Sequence, residues 1–276
     1  MRHFRSLTWR RGIVRFRWRF SGTEIMATVT RHLIDRGDGA LVELFQAEAP
    51  TSQNGAILFV HGFQQGLLLG GREAVDNGAL LRFSSRFNVT AAAISQPGFG
   101  ASDGPADFCG PITQQAISAA VEFIKHHPPI DPSRFVLLGN SRGAVASAMV
   151  ATKLSDLRAL ILMSGVYDLG AAYQTSSSGI RQAIEMEAGL SEKAFEDRSA
   201  LHHACKIRAE TLILHGKHDN RAPFEQAERL AAALEMEGTA VTLRSFECGH
   251  RIPPEQRAPV LRDFLERVFA AKPIYH

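Results

Sequence analysis

The chain has 276 residues, 45% of them hydrophobic, enough to bury the core of one sizeable domain, and its length demands no second one. A formal net charge of +3 does not mark a nucleic-acid binder, because the excess is confined to the start: residues 1–25 carry seven arginines against one acid, Glu24, leaving 24 bases and 27 acids elsewhere. No stretch approaches the roughly 18 apolar residues of a membrane span, and the leader lacks the apolar run and cleavage site of a secretory signal, so a cytoplasmic protein is expected.

In the basic leader, Arg15-Phe16-Arg17-Trp18-Arg19-Phe20 alternates strictly. It reads as a strand, a contact for an anionic surface or a targeting arm; the other reading of residues 1–25 is a disordered or mis-started extension, with Met26 the true beginning. Residues 26–276 then form one domain. From about residue 40, apolar runs of strand length alternate with helical segments: Ala56–Val60, 89–94, 135–138, Ala159–Met163, 211–214 and Val241–Phe246. Runs without polar alternation are expected of strands covered by helices on both faces of a mostly parallel sheet, an α/β architecture. Ile117, Ala120, Val121 and Ile124 make one helical stripe after Pro111, and Val260, Leu261, Phe264, Leu265 and Val268 another after Pro259. Between the strand ending near Ser164 and that beginning at Thr211 lies a small helical insertion, with helices expected near 180–188 and 191–197. Its residues 171–205 read as a lid over the sheet's carboxyl edge or as a plain structural excursion.

GNSRGA, residues 139–144, follows an apolar strand and opens a helix. A turn this sharp brings neighbouring backbones so close that side chains at 139 and 143 would collide, which explains the two glycines. It also lifts the Ser141 hydroxyl above the sheet edge as a candidate nucleophile, beside the amide-rich start of a helix.

A serine hydroxyl needs a base and an acid that orients it. HGKHDNRAP places Asp219 just past the 211–214 strand, and ECGHRIP places His250 just past Val241–Phe246. The order Ser141, Asp219, His250 is that of an α/β-hydrolase triad, all at one sheet edge. Alone, Asp219 would read as a turn former and His250 as a surface histidine. Asp168 in SGVYDL, also at a strand end, is the rival acid. His218 is expected in solvent, and the pairs His126-His127 and His202-His203 lack metal-ligand spacing. After Ala56–Val60, HGFQQG turns so that the Phe63 amide can face the nucleophile; the Arg142 and Phe63 N–H groups are the candidate oxyanion hole. SQPGFGASDG reads as turn chemistry. The Arg142 guanidinium either meets an anionic substrate group or forms a salt bridge with a surface acid. Cys109, Cys205 and Cys248 are odd in number and widely spaced, which fits reduced thiols.

With GNSRGA, SGVYDL, HGKHDNRAP and ECGHRIP in place, the chain resembles the α/β-hydrolase superfamily. From Ala56 onward it is similar to the hydrolase domain of the prolyl oligopeptidase family and its small esterase relatives. The resemblance implies an α/β-hydrolase fold and a serine hydrolase using Ser141, Asp219 and His250 on a small-molecule acyl substrate, without metal or organic cofactor. The residues before Ala56 are too few for the β-propeller of the oligopeptidases. Arg142 stands where those peptidases commonly have an aromatic residue. Both departures put an esterase ahead of a peptidase; an acyltransferase and a catalytically silent binding protein on the same fold are the other readings.

Overall fold

The computed structural model of the chain describes residues 13–20, 23–50, 55–64, 66–126 and 130–270. Among the described residues, nine strands form one sheet: β1 (Ile13–Phe20), β2 (Thr23–Asp35), β3 (Leu41–Ala47), β4 (Ala56–Val60), β5 (Thr90–Ile94), β6 (Phe135–Asn140), β7 (Ala159–Met163), β8 (Glu210–Gly216) and β9 (Val241–Phe246). They lie in the order β1-β2-β3-β5-β4-β6-β7-β8-β9. The first three run antiparallel to their neighbours, and β4 to β9 are parallel.

β4, β5 and β7 carry only small and branched side chains apart from Phe59 and Met163, and β5 and β7 are buried throughout. β9 departs from that expectation: its Thr, Arg and Ser residues leave it half exposed, as befits the edge strand of the sheet. The alternating arginine–aromatic run forms β1, while residues 1–12 of the basic leader lie outside the described residues. β3 did not stand out in the sequence because two polar residues, Glu43 and Gln46, are buried in it; Glu43 ion-pairs with Arg31 at 2.6 Å and accepts the Ser95 hydroxyl at 2.7 Å.

The helices are α1 (Arg72–Asp76), α2 (Ala79–Phe87), α3 (Pro111–Lys125), α4 (Arg142–Ala151), α5 (Leu169–Thr175), α6 (Ser178–Glu187), α7 (Glu192–Glu196), α8 (Phe224–Met236) and α9 (Pro254–Ala270). α3, α4 and α8 cover one face of the sheet, packing Ile117, Val121, Val145 and Leu230 on Leu58, Leu137 and Leu162. α1, α2 and α9 cover the other, packing Val75, Leu80, Phe264 and Leu265 on Ile57, Val136 and Ile161. The helix carrying the 260–268 stripe starts five residues earlier than its stripe suggests, at Pro254, and Pro259 lies inside it. Among the described residues, no helix is long and apolar enough to cross a membrane.

From β4 the chain goes first to β5 on one side, then through α3 on the opposite face to β6 on the other side. Loops leaving the carboxyl ends of β4 and β6 therefore diverge and open a crevice, the usual ligand position in an open α/β sheet.

Candidate active site

Ser141 stands at that crevice, between β6 and α4, with φ 52° and ψ −119°, a conformation L-residues rarely adopt. A Cβ on Gly139 would come within 2.3 Å of the Gly143 carbonyl oxygen, and one on Gly143 within 2.1 Å of the Val60 carbonyl oxygen. Only glycine fits at either place, so the spacing of GNSRGA follows from backbone contact. The Ser141 amide donates to the Met163 carbonyl at 2.7 Å, tying the turn to the end of β7.

The loops after β8 and β9 bring the other two residues to the same edge. The Ser141 hydroxyl lies 2.9 Å from His250 Nε2, and His250 Nδ1 lies 2.8 Å from Asp219 Oδ2. The other carboxylate oxygen, Oδ1, accepts the Arg221 and Ala222 amides, both at 2.9 Å. Burial works to raise the Asp219 carboxyl; hydrogen bonds from His215, His250 and the two amides outweigh it and hold the group well below the usual carboxylate range. An ionised Asp219 needs a proton on His250 Nδ1, leaving Nε2 bare to receive the serine's.

Phe63 and Arg142 also meet here. The loop after β4 passes so near the elbow that a Cβ on Gly62 would come within 3.0 Å of Ser141 Cβ. Among the described residues, neither the Phe63 nor the Arg142 amide donates to a protein acceptor. His61 anchors the loop: Nδ1 donates to the Gly62 carbonyl at 2.8 Å, and Nε2 accepts the Gln96 amide at 3.1 Å. That pattern is the neutral ring, and burial lowers its pKa. The Gln96 side chain donates in turn to the His61 carbonyl at 2.5 Å. SQPGFGASDG thus holds the loop after β4 in addition to making a turn.

Of the two readings of the Arg142 guanidinium, the structure contains an acid partner, but a mostly buried one and not a surface acid. It lies 2.8 Å from Glu187 Oε2 at the end of α6, and rests on the Phe63 and Phe108 rings at 4.8 and 4.2 Å. The insertion is fastened again by Arg198, 4% exposed, which donates to the Phe108, Ala194 and Asp107 carbonyls.

Asp168 lies elsewhere: it caps α5 through the Ala171 amide and pairs with Arg229 at 3.0 Å. His218 is exposed beside Glu247. His126 and His202 are also exposed, and His127 lies outside the described residues. Sequence reasoning did not single out His215. It is fully buried on β8, with Nε2 2.7 Å from the Ala222 carbonyl and 3.3 Å from Asp219 Oδ2. Its place four residues before Asp219, directly after the apolar run Leu212-Ile213-Leu214, was the available signal.

A model of the prolyl oligopeptidase family matches residues 111–270. The uncharacterized peptidase YuxL of Bacillus subtilis (strain 168) is 29% identical over 143 residues, 51% of this chain and 22% of its own length. A puromycin-hydrolyzing peptidase of Mycobacterium tuberculosis superposes with a TM-score of 0.79 at 20% identity, over 92% of this chain and 43% of that one. The esterase Pf2001 of Pyrococcus furiosus superposes with 0.67 at 15% identity, over 87% of this chain and 91% of that one. At such identities the structures speak to the fold alone, and the chain spans less than half the length of both peptidases. The matched segment runs from the first residue of α3 to the last of α9, takes in Ser141, Asp219 and His250, and covers more than half of the sequence; the chain belongs to the prolyl oligopeptidase family.

Proposed function

We propose that this serine hydrolase cleaves a carboxylic ester or related acyl bond through an acyl-serine intermediate, with Ser141 as nucleophile, His250 as general base and acid, and Asp219 as its orienting carboxylate. The observation that carries the reading is the continuous hydrogen-bonded chain from Ser141 Oγ through both His250 nitrogens to a buried, ionised Asp219.

In the first step the Ser141 oxygen bonds to the acyl carbon while its proton passes to His250 Nε2. The carbonyl oxygen becomes an oxyanion within reach of the Arg142 and Phe63 amides, each worth on the order of 3 kcal/mol of barrier in comparable sites. Collapse breaks the bond to the leaving alcohol, which takes the proton from His250. Water, deprotonated by the same nitrogen, then releases the acid and restores the serine.

A peptidase is the second reading, favoured by the peptidase named among the relatives. Arg142 weighs against it: where the peptidases of this family commonly have an aromatic residue after the nucleophile, this chain has a cation engaged by Glu187. The test is a panel of acyl esters of varied chain length and of aminoacyl and peptidyl amides, run beside Ser141→Ala and a fluorophosphonate label. Ester turnover and labelling, both lost in the variant, support the proposal. Faster amide than ester turnover selects the peptidase, and a wild-type protein that neither labels nor turns over sinks both.

A further inference from the structure

On the face of the sheet away from α3, α4 and α8, a cavity of about 530 Å³ lies between α1–α2 and the first turns of α9. It is a cleft partly open to solvent, and its volume falls within the range of small-molecule sites. Its floor is apolar: Phe59, Phe83 and Phe87 form a row, with ring centroids 4.8 and 5.6 Å apart, flanked by Leu138 and Leu261. His61, Asn77 and Asn140 also line the cavity, but the aromatic strip itself suits a linear hydrocarbon.

The charges lining it are mostly positive. Arg86 and Arg262 already have acid partners, Glu266 and Asp263. Arg82 donates to the Asn77 carbonyl. Arg257 differs: it is partly buried on α9, and among the described residues its guanidinium has no hydrogen-bond or ion-pair partner. Burial pulls its pKa down with no neighbouring carboxylate to oppose the shift. The one carboxylate lining the cavity, Glu73, accepts from Gln64 at 2.6 Å. A half-desolvated guanidinium beside an apolar channel calls for an anion that brings its own hydrocarbon.

We infer that this cavity is a second binding site, separate from Ser141, for a medium-chain fatty carboxylate, with the tail on the Phe59–Phe83–Phe87 strip and the head on Arg257. Ser141, Asp219 and His250 do not line the cavity, although Asn140 and His61, beside the elbow and in the loop after β4, do; the inference stands whether or not Ser141 is a nucleophile.

The test is calorimetric titration of the full chain with decanoate, below its micelle concentration, and with decanol at matched length. A single decanoate is expected per chain, with decanol about tenfold weaker or worse, the loss of one charge-assisted hydrogen bond. Arg257→Gln should weaken decanoate by a similar factor and leave decanol unchanged, whereas Arg257→Lys should retain part of the preference. Ala258→Trp, an exposed substitution at the rim, should abolish binding of both. A fluorophosphonate on the protein should leave decanoate binding intact. The inference is overturned if decanoate does not bind, if Arg257→Gln binds it as wild type does, or if blocking Ser141 displaces it; circular dichroism identifies any variant that fails to fold, in which case the decanol comparison on wild type decides.

Discussion

Arg142 and Glu187 are 45 positions apart in the chain, yet the guanidinium of the first lies 2.8 Å from the carboxylate of the second, joining the helix behind Ser141 to the last turn of α6. The pair is mostly buried, and the same guanidinium rests on Phe63, whose amide is the proposed second oxyanion donor. Glu187→Gln should therefore free a cation beside the nucleophile. The expected result is a rise of about tenfold in the preference for anionic over neutral esters, measured as a ratio of kcat/KM, with a stability loss of about 1–2 kcal/mol. A wild-type enzyme that already prefers anionic esters as strongly as the variant would refute this account of Arg142.

Asp219→Asn removes the charge that fixes the His250 tautomer. With the proposed roles, kcat should fall on the order of 10⁴-fold while KM changes little. Stability carries a second signature. The folded carboxyl lies below its ordinary value of 3.8, so its contribution is complete above that pH and is lost as pH falls through the folded value. Wild type should exceed the variant in stability at pH 7, and urea denaturation should show the gap narrowing below about pH 4. A gap constant from pH 7 to pH 3 would contradict the ionised, hydrogen-bonded state.

The parts of this site that could be read in the sequence are those governed by local constraint. Gly139 and Gly143 announce a backbone contact, and Asp219 and His250 stand just past two neighbouring parallel strands whose ends share one edge. Partners set by packing across the molecule left no such mark. Glu187 reaches Arg142 from an insertion whose helices are short and irregular, and Gln96 reaches His61 from a segment that looks like turn residues alone. β3 was obscured because its buried Glu43 is satisfied by Arg31 and Ser95, neither of which is near it in sequence. The helix α9 begins before its apolar stripe because its first turn, Pro254-Glu255-Gln256, is exposed and carries no apolar residue for the core.

Gly143→Ala tests whether the elbow is fixed by backbone contact. The new methyl would lie 2.1 Å from the Val60 carbonyl oxygen and 2.6 Å from that of His61, both backbone atoms that cannot turn aside. A loss of about 3 kcal/mol or more is expected in denaturant titration, with activity falling too. Gly179→Ala is the control: nothing lies within 4 Å of its Cβ, and in α6 it should gain up to about 1 kcal/mol. Equal effects at the two positions would refute the contact argument.

His61 supplies a separate pH effect. Its folded pKa is below the ordinary 6.5, chiefly through burial, so as pH falls the unfolded chain takes up the proton first. Stability should decline from about pH 6.5 downward until the folded ring is itself protonated. His61→Gln, which does not titrate, should flatten that slope in thermal melts between pH 7 and pH 5. Parallel slopes in the two proteins would assign the effect to another group.

Ser141 itself should be a source of instability. Its φ of 52° with ψ of −119° costs an L-residue on the order of 1–3 kcal/mol, a cost that glycine does not bear. Ser141→Gly and Ser141→Ala both delete the hydroxyl and its 2.9 Å contact with His250, so the difference between them isolates the backbone. Glycine's greater freedom in the unfolded chain offsets part of the gain, about 0.5–1 kcal/mol. Ser141→Gly should still unfold at a higher denaturant concentration than Ser141→Ala, with both inactive and with equal m-values. If alanine proves the more stable, the elbow is not strained at this residue, and the strand-to-helix turn is held open without stored energy.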